Sequence, residues 1–217
     1  MEIHQYIDHT VLRPDCSRSD VQKICAEAVQ HRFKAVCIPP YFVRDARQWL
    51  ENSPVRLSTV IGFPFGYSTT PAKVEEMKRA FDDGAHEFDV VINNCAVKDG
   101  AWAYVKNDID TMTRAAHLRG SIVKVILETS LLQEAEIDRL CAICAELGCD
   151  FVKTSTGFHG DVATPEMIRY LRSKLPSNVR IKASGGIRTL LQAEELVRAG
   201  ADRIGTSSGT VIVGAVN

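Results

Sequence analysis

The sequence contains no apolar run approaching the ~18 residues that a membrane span needs, so no membrane-embedded segment is predicted. A dominant charge is missing as well. Lys and Arg number 26 against 27 Asp and Glu, a formal net charge of -1. That balance gives no global field to attract nucleic acid or an anionic membrane, although a local cation cluster could still hold a small phosphate. The opening residues Met1-Glu2-Ile3-His4-Gln5 lack the basic and apolar regions of a secretory leader. The seven cysteines are odd in number and scattered through apolar segments, which predicts reduced thiols in a cytoplasm rather than a disulfide scaffold. One C-x-x-C pair exists, Cys141 and Cys144, with no second pair and no H-x-x-x-H to complete a zinc site. It lies inside the helical spacing Ile137, Leu140, Cys141, Cys144, Leu147 and reads as core packing; no metal is expected. Linkers and low-complexity stretches are absent too.

What is present suits one domain over residues 1–217, with ordinary fractions of 45% apolar and 24% charged residues. Short β-branched runs occur at Ala35 to Ile38, Leu57 to Ile61, Phe88 to Ile92, Ile122 to Leu127, Phe151 to Thr154, Arg180 to Ala183 and Arg203 to Gly205, with a weaker one at Tyr6 to Leu12. Amphipathic stretches with recognisable ends separate them. Thr70-Pro71 and Thr164-Pro165 have the form of an N-cap followed by a first-turn proline, and Thr189 with Gln192 that of a capping box. Gly84, Gly148 and Gly200 stand where left-handed helix stops are expected.

Those glycines mark an internal repeat, since helix stop, short polar loop and strand recur after each of them. Lys124, Lys153 and Lys182 are evenly spaced along the chain, one per strand–helix unit. Eight such units predict a closed (β/α)8 TIM barrel, with a doubly wound open sheet as the runner-up.

Parallel strands covered on both faces should be apolar throughout. Asp89 interrupts Phe88-Asp89-Val90-Val91-Ile92, Lys153 interrupts Phe151-Val152-Lys153-Thr154, and Lys182 interrupts Ile181-Lys182-Ala183. Each could serve a structural ion pair inside the barrel. Cations on consecutive strands facing one lumen also fit chemistry. A free lysine is almost wholly protonated at neutral pH, whereas desolvation and a neighbouring cation favour the neutral amine that attacks carbonyls. Asp89 faces the same interior and could relay protons. The strand ends Lys153-Thr154-Ser155-Thr156-Gly157, Ala183-Ser184-Gly185-Gly186 and Gly205-Thr206-Ser207-Ser208-Gly209 offer backbone N–H groups and hydroxyls at the face where barrel enzymes bind phosphate.

Read in order, Ile7-Asp8-His9-Thr10-Val11-Leu12, Val36-Cys37-Ile38-Pro39-Pro40, Gly62-Phe63-Pro64-Phe65-Gly66, Phe88 to Asn93, Lys124 to Thr129, Lys153 to Phe158, Lys182 to Thr189 and Gly205 to Gly209 resemble the deoxyribose-phosphate aldolase family across nearly the whole chain. The resemblance implies that Lys153 forms a Schiff base with the aldehyde carbon. It makes Lys182 the neighbour that lowers the pKa of Lys153 and shares in proton transfer, and Asp89 the general acid/base, acting through a water. Gly157, Gly185, Gly186, Ser207 and Ser208 would bind the 5-phosphate, Asp8 and Thr10 would shape the sugar pocket, and Cys37 would lie near it. The implied reaction is reversible cleavage of 2-deoxy-D-ribose 5-phosphate to D-glyceraldehyde 3-phosphate and acetaldehyde, without metal or cofactor. The expected enzyme is cytoplasmic and acts in deoxynucleoside catabolism. A homodimer is expected only by analogy of fold.

The sequence departs from the family pattern in three places. Phe158 stands where some members carry a phosphate-neutralising lysine, the loop Phe158-His159-Gly160-Asp161-Val162-Ala163 replaces a Gly-Gly, and Val213 to Asn217 lacks the tyrosine-bearing tail of longer members. Proton transfer would then fall to Asp89, Lys182 and a water. Competing readings are a Schiff-base aldolase for another sugar phosphate and an inactive sugar-phosphate regulator. His159 reads as a solvated loop residue, Trp49 and Trp102 as helix packing, and Arg188 as support for the phosphate loop or a partner of a surface acid.

Overall fold

The computed structural model describes residues 1–160 and 163–214. Eight strands, β1 (Ile7–Thr10), β2 (Ala35–Ile38), β3 (Arg56–Ile61), β4 (Glu87–Val91), β5 (Ile122–Ile126), β6 (Phe151–Lys153), β7 (Arg180–Ser184) and β8 (Arg203–Thr206), pair in parallel and in sequence order. Pairing of β1 with β8, Asp8 opposite Gly205, closes the barrel and excludes the open sheet. The helices α1 (Arg18–His31), α2 (Val43–Trp49), α3 (Thr70–Asp82), α4 (Asn94–Lys98), α5 (Trp102–His117), α6 (Glu134–Glu146), α7 (Pro165–Lys174), α8 (Leu190–Arg198) and α9 (Gly209–Gly214) run between and after the strands. Among the described residues, no helix is long and apolar enough to cross a membrane.

Successive strand side chains point to opposite faces, and the sequence uses that alternation to divide apolar from charged. Val36, Ile38, Leu57, Phe88, Val90, Val123, Val125, Val152, Ile181, Ala183 and Ile204 belong to the continuous core against the helices. The alternate positions carry Asp8, Cys37, Ser58, Glu87, Asp89, Lys124, Lys153, Lys182 and Arg203, all buried and mutually bonded in the lumen. Cys141 and Cys144 pack in that outer core, on the buried face of α6. Trp49 and Trp102 pack on it, under the guanidinium groups of Arg18 and Arg139 respectively.

The helix boundaries follow local chemistry. Thr164 and Thr189 cap α7 and α8 through bonds from Met167 and Gln192 N–H groups. Thr70 differs from expectation: Thr69 occupies the N-cap of α3, and the Thr70 hydroxyl instead donates to Asp108 Oδ1 at 2.7 Å. The reason lies in Lys73, a fully buried lysine on the same helix. Its ammonium bonds Asp108 Oδ2 at 2.7 Å and the Val91 carbonyl at 2.9 Å, so Thr70 completes the coordination of a buried carboxylate. This pair ties α3 and α5 to the C-terminal end of β4, two residues beyond Asp89.

Removing one partner of a buried pair leaves the other charge uncompensated, at a cost of about 3–5 kcal/mol. Asp108→Ala should therefore lower stability by about that amount in urea denaturation. A loss below about 1 kcal/mol would show that Lys73 is satisfied without Asp108.

Candidate active site

The lumen holds its charges in layers. At the base, Arg203 reaches Asp8 at 2.5 Å and Glu87 at 3.0 Å. Above it, Lys124 bridges Glu87 and Asp89, each at 2.8 Å, and donates to Ser58 Oγ at 3.1 Å. Lys182 bridges Asp8 at 2.5 Å and Asp89 at 2.8 Å. Lys153 reaches Asp89 alone, at 2.8 Å, on the same Oδ2 that Lys182 bonds. Ser58 and the Cys37 thiol complete the surroundings of Asp89, at 3.2 and 3.9 Å. Glycine at position 205 makes this possible on the β8 side, because a Cβ there would stand 3.0 Å from Lys182 Cε.

Burial disfavours charge, and at Asp8, Asp89 and Lys182 the partners outweigh it. Desolvation opposes the charge of Lys182, but Asp8 and Asp89 raise its pKa above the ordinary lysine value. Burial likewise works against Asp89, yet Lys124, Lys153 and Lys182 hold its carboxyl well below the usual range. Asp8 is lowered in the same way by Arg203, Lys182 and Lys124. Burial pushes the Cys37 thiol up, so it stays protonated. The lowered carboxylates contribute stability above their unfolded pKa near ~3.9, lost only as pH falls through the folded value. Lys182, shifted up, contributes below about pH 10.4 and loses that contribution above it. Asp8, Asp89 and Lys182 therefore stay charged across neutral pH. Among these residues four cations (Lys124, Lys153, Lys182, Arg203) face three carboxylates (Asp8, Glu87, Asp89). Lys153 has one carboxylate partner where the other cations have at least two.

Above the network opens a cavity of about 710 Å3, lined among others by Thr10, Arg13, Gly157, Phe158, Ser184 and Gly185. Gly186, Ile187, Arg188, Gly205 and Ser207 complete its β7–β8 side. Lys153 is 1% exposed and lies below the floor, opposite Lys182 in register and one inward step beneath Ser184. Among the described residues, the backbone N–H groups of Gly157, Gly185, Gly186, Ile187 and Ser207 have no protein acceptor. Unpaired N–H groups converging on a concavity are an anion cradle. Ser208 stands beside it rather than in the lining, its N–H bonded to Thr206 Oγ1 at 2.9 Å.

The structure brings Asp8, Cys37, Asp89, Lys153 and Lys182 together in the lumen. Thr10, Gly157, Gly185, Gly186 and Ser207 gather at the mouth. Asp8 belongs to the ionic base of the lumen rather than to the cavity lining. Arg188 lines the cavity and has no carboxylate partner among the described residues. His159 is an exposed loop side chain, as expected, and approaches Glu128 at 4.0 Å and the Phe65 ring at 6.4 Å. Phe158 packs edge-on against Phe63 and forms an apolar wall. Sequence reading missed Arg13, a cation on the opposite lip whose guanidinium bonds Asp15 and Asp20. It also missed Glu87 as a partner of Lys124, and Arg203 as a partner of Asp8 and Glu87. Their only local signal was charge at inward positions of β4 and β8. Residues 161–162 of the loop and 215–217 of the tail lie outside the described residues.

Residues 3–213 match the family described as DeoC/LacD family aldolase. A Thermococcus kodakarensis protein named deoxyribose-phosphate aldolase is 50% identical over 214 residues, covering 98% of this chain and 96% of the relative. One of the same name from Treponema denticola is 44% identical over 98% of this chain and 99% of its own. The crystal structure of a putative deoxyribose-phosphate aldolase from Coccidioides immitis superposes with a TM-score of 0.94 at 41% identity, over 99% of this chain and 85% of that one. A tetrameric deoxyribose phosphate aldolase from Aeropyrum pernix gives 0.91 at 32% identity, over 99% and 90%.

Gly186 lies at φ +68 with a free N–H toward the cavity, so a branched side chain there both strains the backbone and covers the donor. Gly186→Val should weaken binding of inorganic phosphate at least about tenfold, read from the thermal shift that phosphate produces. Unchanged affinity in a folded variant would place the anion elsewhere.

Proposed function

The chain belongs to the DeoC/LacD family of aldolases, and on that premise we propose that it cleaves 2-deoxy-D-ribose 5-phosphate reversibly to D-glyceraldehyde 3-phosphate and acetaldehyde through an imine on Lys153. The observation that carries this reading is Asp89 Oδ2, shared by Lys153 and Lys182 beneath a cradle of unpaired N–H groups.

The neutral amine of Lys153 adds to the C1 aldehyde of the open-chain sugar. The carbinolamine takes up a proton through a water beside Asp89 and Lys182 and loses water to give the protonated imine. That iminium carries the same charge as the ammonium it replaces, so the ion pair with Asp89 persists and the site stabilises the intermediate. Removal of the C3 hydroxyl proton breaks C2–C3, releases the aldehyde of glyceraldehyde 3-phosphate and leaves an enamine on Lys153. Protonation at C2 and hydrolysis of the imine release acetaldehyde and regenerate the amine. Asp89 is bound to three ammonium groups and is a weak base by itself, which suits proton movement through a water beside it and Lys182. Lys182, kept cationic by Asp8 and Asp89, is the like charge that favours the neutral form of its neighbour.

Phosphate recognition falls to the N–H groups of Gly157, Gly185, Gly186 and Ser207, with the Ser207 and Ser208 hydroxyls adding donors. Arg188, which lines the cavity, supplies the positive charge that Phe158 does not. Thr10 borders the sugar, with Asp8 and Cys37 shaping the floor from below. We place the enzyme in the cytoplasm as a homodimer, built as one (β/α)8 domain over residues 1–217 and serving deoxynucleoside catabolism. Seven free thiols support the compartment.

Lys153→Arg keeps a cation but no nucleophile, and should abolish cleavage of the sugar phosphate; near-normal turnover would end the assignment. Lys182→Leu removes the like charge and leaves more of Asp89 to Lys153. Borohydride trapping of acetaldehyde against pH should then move to higher pH. An unmoved profile would mean that desolvation alone tunes the amine.

A further inference from the structure

The three peptide groups following Ser155 are treated differently by the structure. Thr156 N–H donates to both carboxylate oxygens of Glu128, at 3.2 Å each, and the Thr156 hydroxyl makes a further short bond to Glu128 Oε2. Phe158 N–H donates back to Thr156 Oγ1 at 3.1 Å. Gly157 N–H, between them, has no acceptor among the described residues. Gly157 stands at φ +87, and a Cβ built there meets nothing within 4 Å, so this peptide borders the open cavity.

Glu128 itself is unusual. It is 1% exposed, sits just after β5 in the left-handed region (φ 59), and is one of two non-glycine residues with positive φ among the described residues. That conformation is unfavourable for a residue with a side chain and is held by its neighbours. Leu127 N–H bonds the Lys153 carbonyl and Thr129 N–H bonds the Thr154 carbonyl, both at 3.0 Å, so β5 is stitched to β6 on either side of Glu128. Its carboxylate is thereby delivered to Thr156, with His159 Nε2 at 4.0 Å on the solvent side. A buried carboxylate next to an anion cradle repels the anion by itself, and its position is not explained by direct contact with a phosphate.

We propose that Glu128 is a positioning residue for phosphate selectivity. It locks Thr156, and through the Thr156 hydroxyl the Phe158 N–H, so that of these three donors Gly157 N–H alone is presented to the phosphate. The proposal rests on the aldolase reading above and adds that discrimination between phosphorylated and unphosphorylated sugar passes through the Glu128–Thr156 contact.

The test compares 2-deoxyribose 5-phosphate with unphosphorylated 2-deoxyribose as substrates for the wild type, Thr156→Val, Thr156→Ser and Glu128→Ala. Losing a charge-assisted bond of this kind should raise KM for the phosphorylated sugar about tenfold in Thr156→Val and Glu128→Ala. The kcat on the unphosphorylated sugar should stay within about twofold in those variants. Thr156→Ser keeps the hydroxyl and should restore the wild-type KM. Equal losses on both sugars in Thr156→Val, or an unchanged KM in that variant, would overturn the proposal. Should Glu128→Ala fail to fold, the Thr156 pair still decides. A wild type that cleaves neither sugar would instead refute the aldolase reading itself.

Discussion

The charged interior of this barrel is arranged around one carboxylate, Asp89, that projects inward from β4 with three lysine ammonium groups at 2.8 Å. A carboxylate or an ammonium buried alone would be unfavourable by several kcal/mol, so neither partner can be placed without the others. A closed parallel barrel is one architecture that brings β4, β5, β6 and β7 to a common interior while sending their alternate apolar residues outward to the helices. The second buried pair, Lys73 with Asp108, secures the far end of β4 through the Val91 carbonyl and so holds Asp89 in place.

The network has a gradient. At its base, Asp8 and Glu87 are each bonded by more than one cation, and the guanidinium of Arg203 is raised by them beyond any physiological titration. Toward the mouth the compensation thins until Lys153 depends on a share of Asp89. Above it, the strand ends offer N–H groups that have no acceptor among the described residues.

Much of this was legible in the sequence. Each strand run coincides with an observed strand to within a residue or two. The even spacing of Lys124, Lys153 and Lys182 became three ammonium groups on one carboxylate, because the repeat places equivalent residues at equivalent inward positions. What could not be read was pairing between distant segments. Arg203 finds Asp8 and Glu87 across 195 and 116 residues, and no local pattern encodes that choice. Thr70 was misread as a cap because its partner Asp108 is supplied by another helix. Glu128 escaped notice for a related reason. It follows an apolar strand as an ordinary loop acid would, and only the left-handed turn and the bonds to Thr156 give it a task.

The central claim is that this charge arrangement leaves Lys153, and neither Lys124 nor Lys182, able to form an imine. Borohydride reduction in the presence of acetaldehyde, followed by peptide mapping by mass spectrometry, tests it directly. The account predicts a single ethyl group on Lys153. An ethyl group on Lys124 or Lys182 with Lys153 untouched, or no modification of any lumen lysine, would contradict it.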